Sequence, residues 1–189
     1  MPRLFTGLEI PPHIGMQLML LQGGIPGARW VEPENYHITL RFIGDIDDAT
    51  ATEIDHLLGA IHSSRFSLRL SGIGFFGGAK PHSVHALVEP TPPLMELQQM
   101  HERACQQAGL KPERRRFTPH VTLARCRGAP LRAVRDYVAA HNLFAAGPFE
   151  VQRFVLFSAR PSRGGGPYLV ERAYPLGGGD EHQQPEALP

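Results

Sequence analysis

Cysteine is scarce in this sequence, with only Cys105 and Cys126 among 189 residues and no CxxC pair. Two isolated cysteines argue against a disulfide framework and against a zinc site built on thiolates. We expect both to be small buried side chains. Free thiols are typical of a reducing compartment, and we therefore predict a cytoplasmic location.

Long hydrophobic runs are also missing. The longest apolar stretch, IGMQLMLL at 14–21, is too short to span a bilayer, so we expect no membrane partner. The N-terminal MPRLFTGLEI has neither the apolar core nor the cleavage site of a signal peptide. Charge of one sign is not in excess either: the net charge is +1, so a surface that attracts RNA must be local.

Glycine motifs that cradle nucleotides are absent, since no GxGxxG or P-loop follows a strand-like segment. What is present is a mixture of two periodicities. Alternation predicts strands at about 3–10, 36–43, 65–76, 82–89, 118–126, 149–159 and 167–175. Helical spacing predicts helices at about 11–23, 48–62, 93–109 and 130–141. Hairpin-like neighbours favour antiparallel pairing, so we predict an α+β fold.

One short motif occurs twice. YHITLRF at 36–42 is echoed by PHVTLAR at 119–125, which places His37 and His120 in corresponding positions. Each copy lies in a strand pattern and follows a turn-prone segment. The duplication indicates two related lobes with antiparallel sheets and outer helices around a central cleft.

We expect these lobes to form a single domain over residues 1–176, as a monomer. The Gly-rich, polar end at 177–189 has no periodicity and is predicted to be a disordered tail. The acidic segment at 44–50 predicts a helix N-cap. Histidines within helical patterns, His101 among them, are expected on the surface.

Strand alternation gives the duplicated motif a physical meaning. Successive side chains point to opposite faces, so His37 and Thr39 share one face, as do His120 and Thr122. The apolar residues between them fill the other face. If the two polar faces meet, they line a cleft with two imidazoles and two hydroxyls.

Such a cleft suits phosphodiester chemistry. Histidine titrates near neutrality, so one ring of a facing pair can act as base and the other as acid, each role contributing roughly 10²–10⁴-fold. Threonine hydroxyls can bind phosphoryl oxygens, and arginine can neutralise developing charge. A metal site is the competing interpretation, but no carboxylate or third histidine lies at ligand spacing, so we expect neither metal nor cofactor.

Arginines accompany both motifs. By alternation Arg41 shares the cleft face with Thr39, whereas its counterpart in the second motif is Ala124. Arg125 follows one position later and reaches the cleft only through a bulge or at the end of the strand. The basic stretch KPERRRF at 111–117 is either a rim that grips RNA phosphates or a solvated loop.

These residues resemble the paired HxTx motifs of the two-histidine (2H) phosphoesterase superfamily. The similarity is greatest to the RNA 2′,3′-cyclic phosphodiesterases, formerly called 2′-5′ RNA ligases. It covers nearly the whole chain outside the tail. The segments that carry it are RLFTGLEIP at 3–11, GARWVEPENYHITLRFIGD at 27–45, RFTPHVTLAR at 116–125 and FVLFSAR at 154–160.

The resemblance implies metal-independent opening of a 2′,3′-cyclic phosphate, on RNA or on a small cyclic nucleotide, to a 2′-phosphomonoester. It implies that His37 protonates the departing 3′-oxygen and that His120 takes a proton from water. Thr39 and Thr122 would hold the phosphate. It also implies reversible 2′-5′ RNA ligation, in which an RNA 5′-hydroxyl replaces water.

One departure from the family leaves the base-binding ring open. Many members carry a tryptophan near the position of His85, whereas the only tryptophan here is Trp30. The ring that stacks on a base is then Phe42, Phe76 or His85. The departure also leaves an alternative function: an RNA- or nucleotide-binding module with little turnover.

Overall fold

The computed structural model describes residues 3–159 and 166–177. Within these ranges the chain forms four α-helices and one nine-stranded sheet in which every strand pair is antiparallel, which confirms the α+β prediction. The strands are β1 (Arg3–Glu9), β2 (Arg29–Trp30), β3 (His37–Gly44), β4 (Phe66–Phe76), β5 (Ser83–Val88), β6 (His120–Arg125), β7 (Ala145–Val151), β8 (Arg153–Ala159) and β9 (Tyr168–Pro175). The helices are α1 (Pro12–Met19), α2 (Asp48–Gly59), α3 (Pro92–Gln107) and α4 (Leu131–Ala140).

The sheet consists of two halves that meet at its centre. Its strand order is β7-β4-β5-β6-β3-β1-β8-β9, with β2 paired to β6 beside this path. The chain order β1-α1-β3-α2 in one half corresponds to β5-α3-β6-α4 in the other. A single residue pair, Ile38 with Val121, joins β3 to β6 and so connects the halves.

Two predicted boundaries differ from the structure. The stretch 149–159 was expected to be one strand, but it belongs to β7 and β8, which lie in opposite halves of the sheet and are separated at Gln152. Alternation runs through this break, so periodicity does not reveal it. Gly177, placed in the tail, still bonds through its backbone to Ser63 and Arg65. The rest of the predicted tail, 178–189, lies outside the described residues.

The main core joins apolar side chains of all four helices to one face of the sheet. Each helix contributes a fully buried side chain to this core, namely Leu18, Leu58, Leu97 and Val134. Ile38 of β3 is fully buried with them. Burial of one such side chain contributes about 1.5–3 kcal/mol. A smaller cluster of Phe5, Val155 and Phe157 covers part of the opposite face.

Local signals place the helices as expected. Asp47 caps α2, because its side chain accepts a hydrogen bond from the Thr50 backbone amide at 2.7 Å.

Among the described residues, no helix is both long and apolar enough to cross a membrane. The buried thiols of Cys105 and Cys126 are free, as predicted.

His101 corrects a sequence-based expectation. It was expected on the surface of α3, yet its side chain is fully buried, with Nδ1 2.8 Å from Thr6 Oγ1 on β1 and the ring edge-on to Phe154. Nε2 has no hydrogen-bond partner. Burial lowers the pKa of His101 from 6.5 to about 3, so the folded protein holds a neutral imidazole.

This burial predicts acid sensitivity of the fold. The unfolded chain protonates His101 near pH 6.5, well before the folded protein does, so stability is lost as the pH falls from about 6.5 towards about 3. The loss attributable to one such group is at most about 1.4 kcal/mol per pH unit. His101→Gln removes the titration, and its free energy of unfolding should therefore fall less than that of wild type between about pH 7 and pH 4.5.

Urea denaturation at each pH measures the effect. His13→Gln is the matched control, because it removes a histidine that is exposed on α1. Equal pH dependence in wild type and His101→Gln would contradict the assignment of His101 as a buried neutral ring.

Candidate active site

The two copies of the His-x-Thr motif lie side by side at the centre of the sheet. His37, Thr39, His120 and Thr122 all line one cavity of about 640 Å³. Their strands have the same burial pattern over six residues from each histidine: the apolar second and fourth positions are buried, and the histidine and threonine are half-buried. The structure therefore brings together the four residues that alternation assigned to one cleft.

Each imidazole is held by a backbone carbonyl two residues before it. His37 Nδ1 donates to the Asn35 carbonyl at 2.9 Å, and His120 Nδ1 donates to the Thr118 carbonyl at 2.6 Å. Because a carbonyl only accepts, both neutral rings carry their proton on Nδ1. The Nε2 lone pairs remain for chemistry, and that of His37 accepts from Thr39 Oγ1 at 3.1 Å.

Aromatic rings surround His37. Tyr168 meets it edge-on with ring centroids 4.8 Å apart, and Phe5 and Phe157 lie at 5.0 Å and 5.5 Å. The Tyr168 amide also donates to the Asn35 side-chain oxygen at 3.2 Å, which links β9 to the residue that anchors the imidazole. These contacts fix the ring and shield part of it from water.

The surroundings of His120 are different. Phe76 meets it edge-on at 4.9 Å, and a second imidazole, His85, lies 4.9 Å away. His85 is itself buried, with Nδ1 unpartnered. It fits only because residue 74 is glycine, since a Cβ there would lie 2.8 Å from His85 Nε2.

Both histidines are less basic than a free imidazole. The pKa of His37 is lowered to about 4, mainly by burial and also by the nearby charges of His120 and Arg125, against the effect of the Asn35 hydrogen bond. Burial and Arg125 also lower the pKa of His120, against the hydrogen bond to Thr118. The free protein therefore presents two neutral imidazoles at neutral pH.

A β-bulge follows each threonine and changes which side chains enter the cavity. In β3 the partners of Thr39 and Arg41 are consecutive residues of β1, so Leu40 has no opposite residue. In β6 the partners of Thr122 and Ala124 are likewise consecutive residues of β5. The extra residue reverses the alternation beyond it.

Phe42 and Arg125 occupy equivalent positions after these bulges. Both are five residues after a histidine, both are exposed, and both line the cavity. Arg125 thus reaches the cleft by the bulge that its predicted location required. Phe42 lies in the cleft too, although strict alternation assigned it to the core face.

Arg41 does not lie where alternation placed it. Its side chain is only 7% exposed and forms an ion pair with Glu102 of α3. The other two guanidinium nitrogens donate to the Phe42 and Lys111 carbonyls. The bulge turns this side chain away from Thr39 and the central cavity, and each of its nitrogens already has a protein acceptor, so the structure does not support the expected phosphate contact from Arg41.

The structure also narrows the choice of a base-stacking ring. His85 is 2% exposed and packed under His120, so its face is not open to a base. Phe42 and Phe76 both line the cavity.

Sequence reasoning missed the carbonyls of Asn35 and Thr118, which carry no side-chain signature. Among the described residues, no group of three or more His, Cys, Asp or Glu side chains could hold a metal ion.

An α+β fold with an antiparallel sheet, in which two His-x-Thr strands meet in one cleft, is the architecture of a two-histidine phosphoesterase. The family model described as LigT like Phosphoesterase matches residues 8–85 and 87–168. The chain belongs to this family, which confirms the resemblance found in the sequence.

Several curated relatives carry the name RNA 2′,3′-cyclic phosphodiesterase. The protein of Bacillus subtilis (strain 168) is 32% identical over 164 residues, which cover 82% of this chain and 87% of the relative. The protein of Aquifex aeolicus (strain VF5) is 30% identical over 156 residues, 80% of this chain and 83% of the relative. The protein of Aeropyrum pernix is 41% identical over a shorter stretch of 108 residues, 56% of this chain and 61% of the relative.

Solved structures show the same architecture. The crystal structure of E. coli LigT complexed with 3′-AMP superimposes with a TM-score of 0.76 at 25% identity, covering 93% of this chain and 99% of that one. A protein of Thermus thermophilus superimposes with a TM-score of 0.75 at 24% identity, covering 94% and 100% of the two chains. At that identity the second comparison supports the fold alone.

The placement of Arg125 predicts its effect on both histidines. Arg125→Met removes a positive charge that lowers the pKa of His37 and of His120, so both pKa values should rise. Arg125→Lys keeps the charge and should leave both pKa values close to those of wild type. Imidazole proton chemical shifts, followed by NMR from acid to neutral pH, measure the change. An unchanged pKa of both rings in Arg125→Met would place Arg125 away from them.

Proposed function

We propose that this protein hydrolyses the 2′,3′-cyclic phosphate ends of RNA, or of small cyclic nucleotides, to 2′-phosphomonoesters. The observation that carries the proposal is the matched pair of imidazoles, each fixed through Nδ1 and each lining the same cavity. The names of the B. subtilis and A. aeolicus relatives support the same substrate class. We further propose that the protein acts as a monomer in the cytoplasm.

The proposed roles of the histidines follow from in-line displacement at phosphorus. His120 Nε2 takes a proton from water, whose oxygen forms the new bond to phosphorus. The bond from phosphorus to the 3′-oxygen breaks, and His37 Nε2 delivers a proton to that oxygen. The product keeps its phosphate on the 2′-oxygen. With an RNA 5′-hydroxyl in place of water, the same groups form a 2′-5′ linkage.

Thr39, Thr122 and Arg125 are proposed to hold the phosphate. The Thr39 hydroxyl donates to His37 Nε2 in the free protein. Once His37 is protonated, Nε2 becomes a donor, and the hydroxyl is released to bind a non-bridging oxygen. Thr122 is the equivalent residue of the other lobe. Arg125 supplies positive charge where the transition state gains negative charge, so the proposed chemistry has an acid, a base and an electrostatic group without a metal.

The negative charge of the substrate compensates for the low pKa of His37, the proposed acid. A histidine whose pKa is about 4 is almost entirely neutral at pH 7, and a neutral ring cannot donate to the leaving oxygen. The cyclic phosphate is an anion, and an anion beside an imidazole raises its pKa. Binding is therefore expected to protonate one ring of the pair, with the proton taken up from solution.

Product analysis tests the proposed function. A 2′,3′-cyclic nucleotide incubated with the protein in EDTA should yield the 2′-monophosphate, identified by chromatography against both isomers. His37→Ala and His120→Ala should each lose roughly 10²–10⁴-fold in kcat, since each removes one proton-transfer role. RNA affinity should change little. A purely 3′-monophosphate product would contradict the proposed direction of ring opening. No turnover in wild type with RNA binding intact would leave the binding-module alternative.

A sulfur substitution separates the acid from the base. In a substrate with bridging sulfur at the 3′ position, the leaving thiolate departs without a proton, because thiols are far more acidic than alcohols. His37→Ala should recover most of its lost rate with this substrate, whereas His120→Ala should not. Recovery in His120→Ala instead would exchange the two assignments.

The pKa directions also predict the pH dependence of turnover. The logarithm of kcat/KM reports the free protein, in which one ring must be protonated and the other neutral. Because both pKa values lie below 6.5, the maximum of a bell-shaped profile should lie below pH 6.5. The kcat profile should peak at higher pH, because bound phosphate raises the pKa of the ring that it protonates. A kcat/KM profile that is flat from about pH 5 to 8 would contradict two-histidine catalysis.

A further inference from the structure

Arg41 joins three parts of the protein at a buried point beside the cavity. Its Nε donates to Glu102 on α3, and its Nη1 donates to the Phe42 carbonyl of its own strand. Its Nη2 donates at 2.6 Å to the carbonyl of Lys111, which lies outside any strand or helix. One guanidinium therefore ties a central strand, a helix and an irregular segment together.

Glu102 extends this connection to the cleft. Its second oxygen accepts from the Glu113 backbone amide at 3.0 Å. Glu113 in turn binds Arg115 through its carboxylate, with contacts from the Arg115 amide, Nε and Nη2 at 2.9, 3.2 and 3.1 Å. Arg115 lines the cavity that holds both histidines. A path of hydrogen bonds, continued through residue Glu113 itself, thus runs from buried Arg41 to the edge of the cleft.

The segment fixed in this way, residues 111–116, is called the basic segment below. It carries four cations and one carboxylate, and all six residues are exposed. It borders a second compartment of about 510 Å³, which shares Thr39, Phe42 and His120 with the central cavity and adds Arg116. A compartment of this size accommodates a ligand as large as a nucleotide.

We propose that the basic segment is a preformed docking site for the RNA backbone that precedes the cyclic end, and that Arg41 is the residue that positions it. This inference rests on the proposed function. A cyclic mononucleotide has one phosphate, which belongs in the central cavity. An oligonucleotide has a further phosphate for each preceding nucleotide, and these meet the positive charge of the basic segment. The preferred substrate is therefore an RNA end and not a free cyclic nucleotide.

Preorganisation explains why a buried ion pair serves an exposed surface. A flexible arginine loop loses conformational freedom when it binds a phosphate chain, and that loss weakens binding. Here the Arg41 and Glu102 contacts fix the backbone at Lys111 and Glu113 before RNA arrives. Lysine at position 41 could not reproduce this, because its three N–H groups share one nitrogen, whereas the planar guanidinium donates from three separate nitrogens.

Substrate length tests the proposal. The two substrates are a cyclic mononucleotide and a three-nucleotide RNA that ends in the same cyclic nucleotide. In wild type, kcat/KM for the trinucleotide should be about tenfold or more above that for the mononucleotide. Added salt should reduce this advantage, because log KM for the trinucleotide should rise by roughly 0.7 per unit of log salt concentration for each phosphate contact. In Arg41→Met the ratio of the two kcat/KM values should fall towards unity, through a higher KM for the trinucleotide with little change in kcat.

Two further variants keep the test decisive. Arg116→Ala changes an exposed residue and should also reduce the ratio and the salt dependence, so it gives the answer if Arg41→Met does not fold. Arg132→Ala is the matched control: it removes one exposed arginine on α4, outside the two compartments, and should leave the ratio as in wild type.

The outcomes separate this inference from the proposed function. If wild type turns over neither substrate, the proposed function fails. If wild type turns over both with equal kcat/KM, hydrolysis stands and the docking site is wrong. If the preference for the trinucleotide survives in both Arg41→Met and Arg116→Ala, the preference arises elsewhere and the role of Arg41 is wrong.

Discussion

The pairing of Ile38 with Val121 is the constraint on which the active site depends. In an antiparallel pair centred on these residues, the positions opposite His37 and Thr39 are Thr122 and His120, all on the face away from the helices. A shift of either strand by one residue would send its own histidine and threonine into the core. Both central residues are fully buried, so core packing fixes the register of β3 against β6. That register in turn positions the two histidines and the two threonines.

The same strand geometry, used twice, gives two histidines in unlike surroundings. Both rings donate from Nδ1 to a carbonyl two residues earlier, and both strands bulge after the threonine. The neighbours differ, because β1, β8 and β9 surround His37 with three aromatic rings, whereas β4 and β5 give His120 one phenyl ring and one imidazole. An acid and a base must be in opposite protonation states during turnover, and in a duplicated fold the difference between the two rings has to come from their neighbours and not from the motif.

Local rules explain what could be read from the sequence. Alternation and helical spacing located the main elements, and parity assigned His37, Thr39, His120 and Thr122 to one face. The errors have long-range causes. Arg41 occupies a polar position in an alternating strand, and nothing in its neighbours reveals a bulge or a partner on α3. His101 lies on what reads as a polar helix position, but it meets Thr6, which is 95 residues away in the chain. The break at Gln152 is equally hidden in the sequence, because alternation continues while the chain passes from β7 in one half of the sheet to β8 in the other.

The displaced arginine and the second compartment have a single structural cause. The bulge at Leu40 turns Arg41 towards α3 and, one residue later, turns Phe42 into the cleft. A buried ion pair such as Arg41 with Glu102 adds little net stability, because desolvation of both charges offsets their attraction. Apolar residues of similar size would fill the same space, but they would not hold the Lys111 carbonyl and the Glu113 amide at fixed points. The benefit of this pair is therefore positional. It gives a backbone segment without its own secondary structure a defined path along the edge of the cleft, beside the aromatic ring that the same bulge exposes.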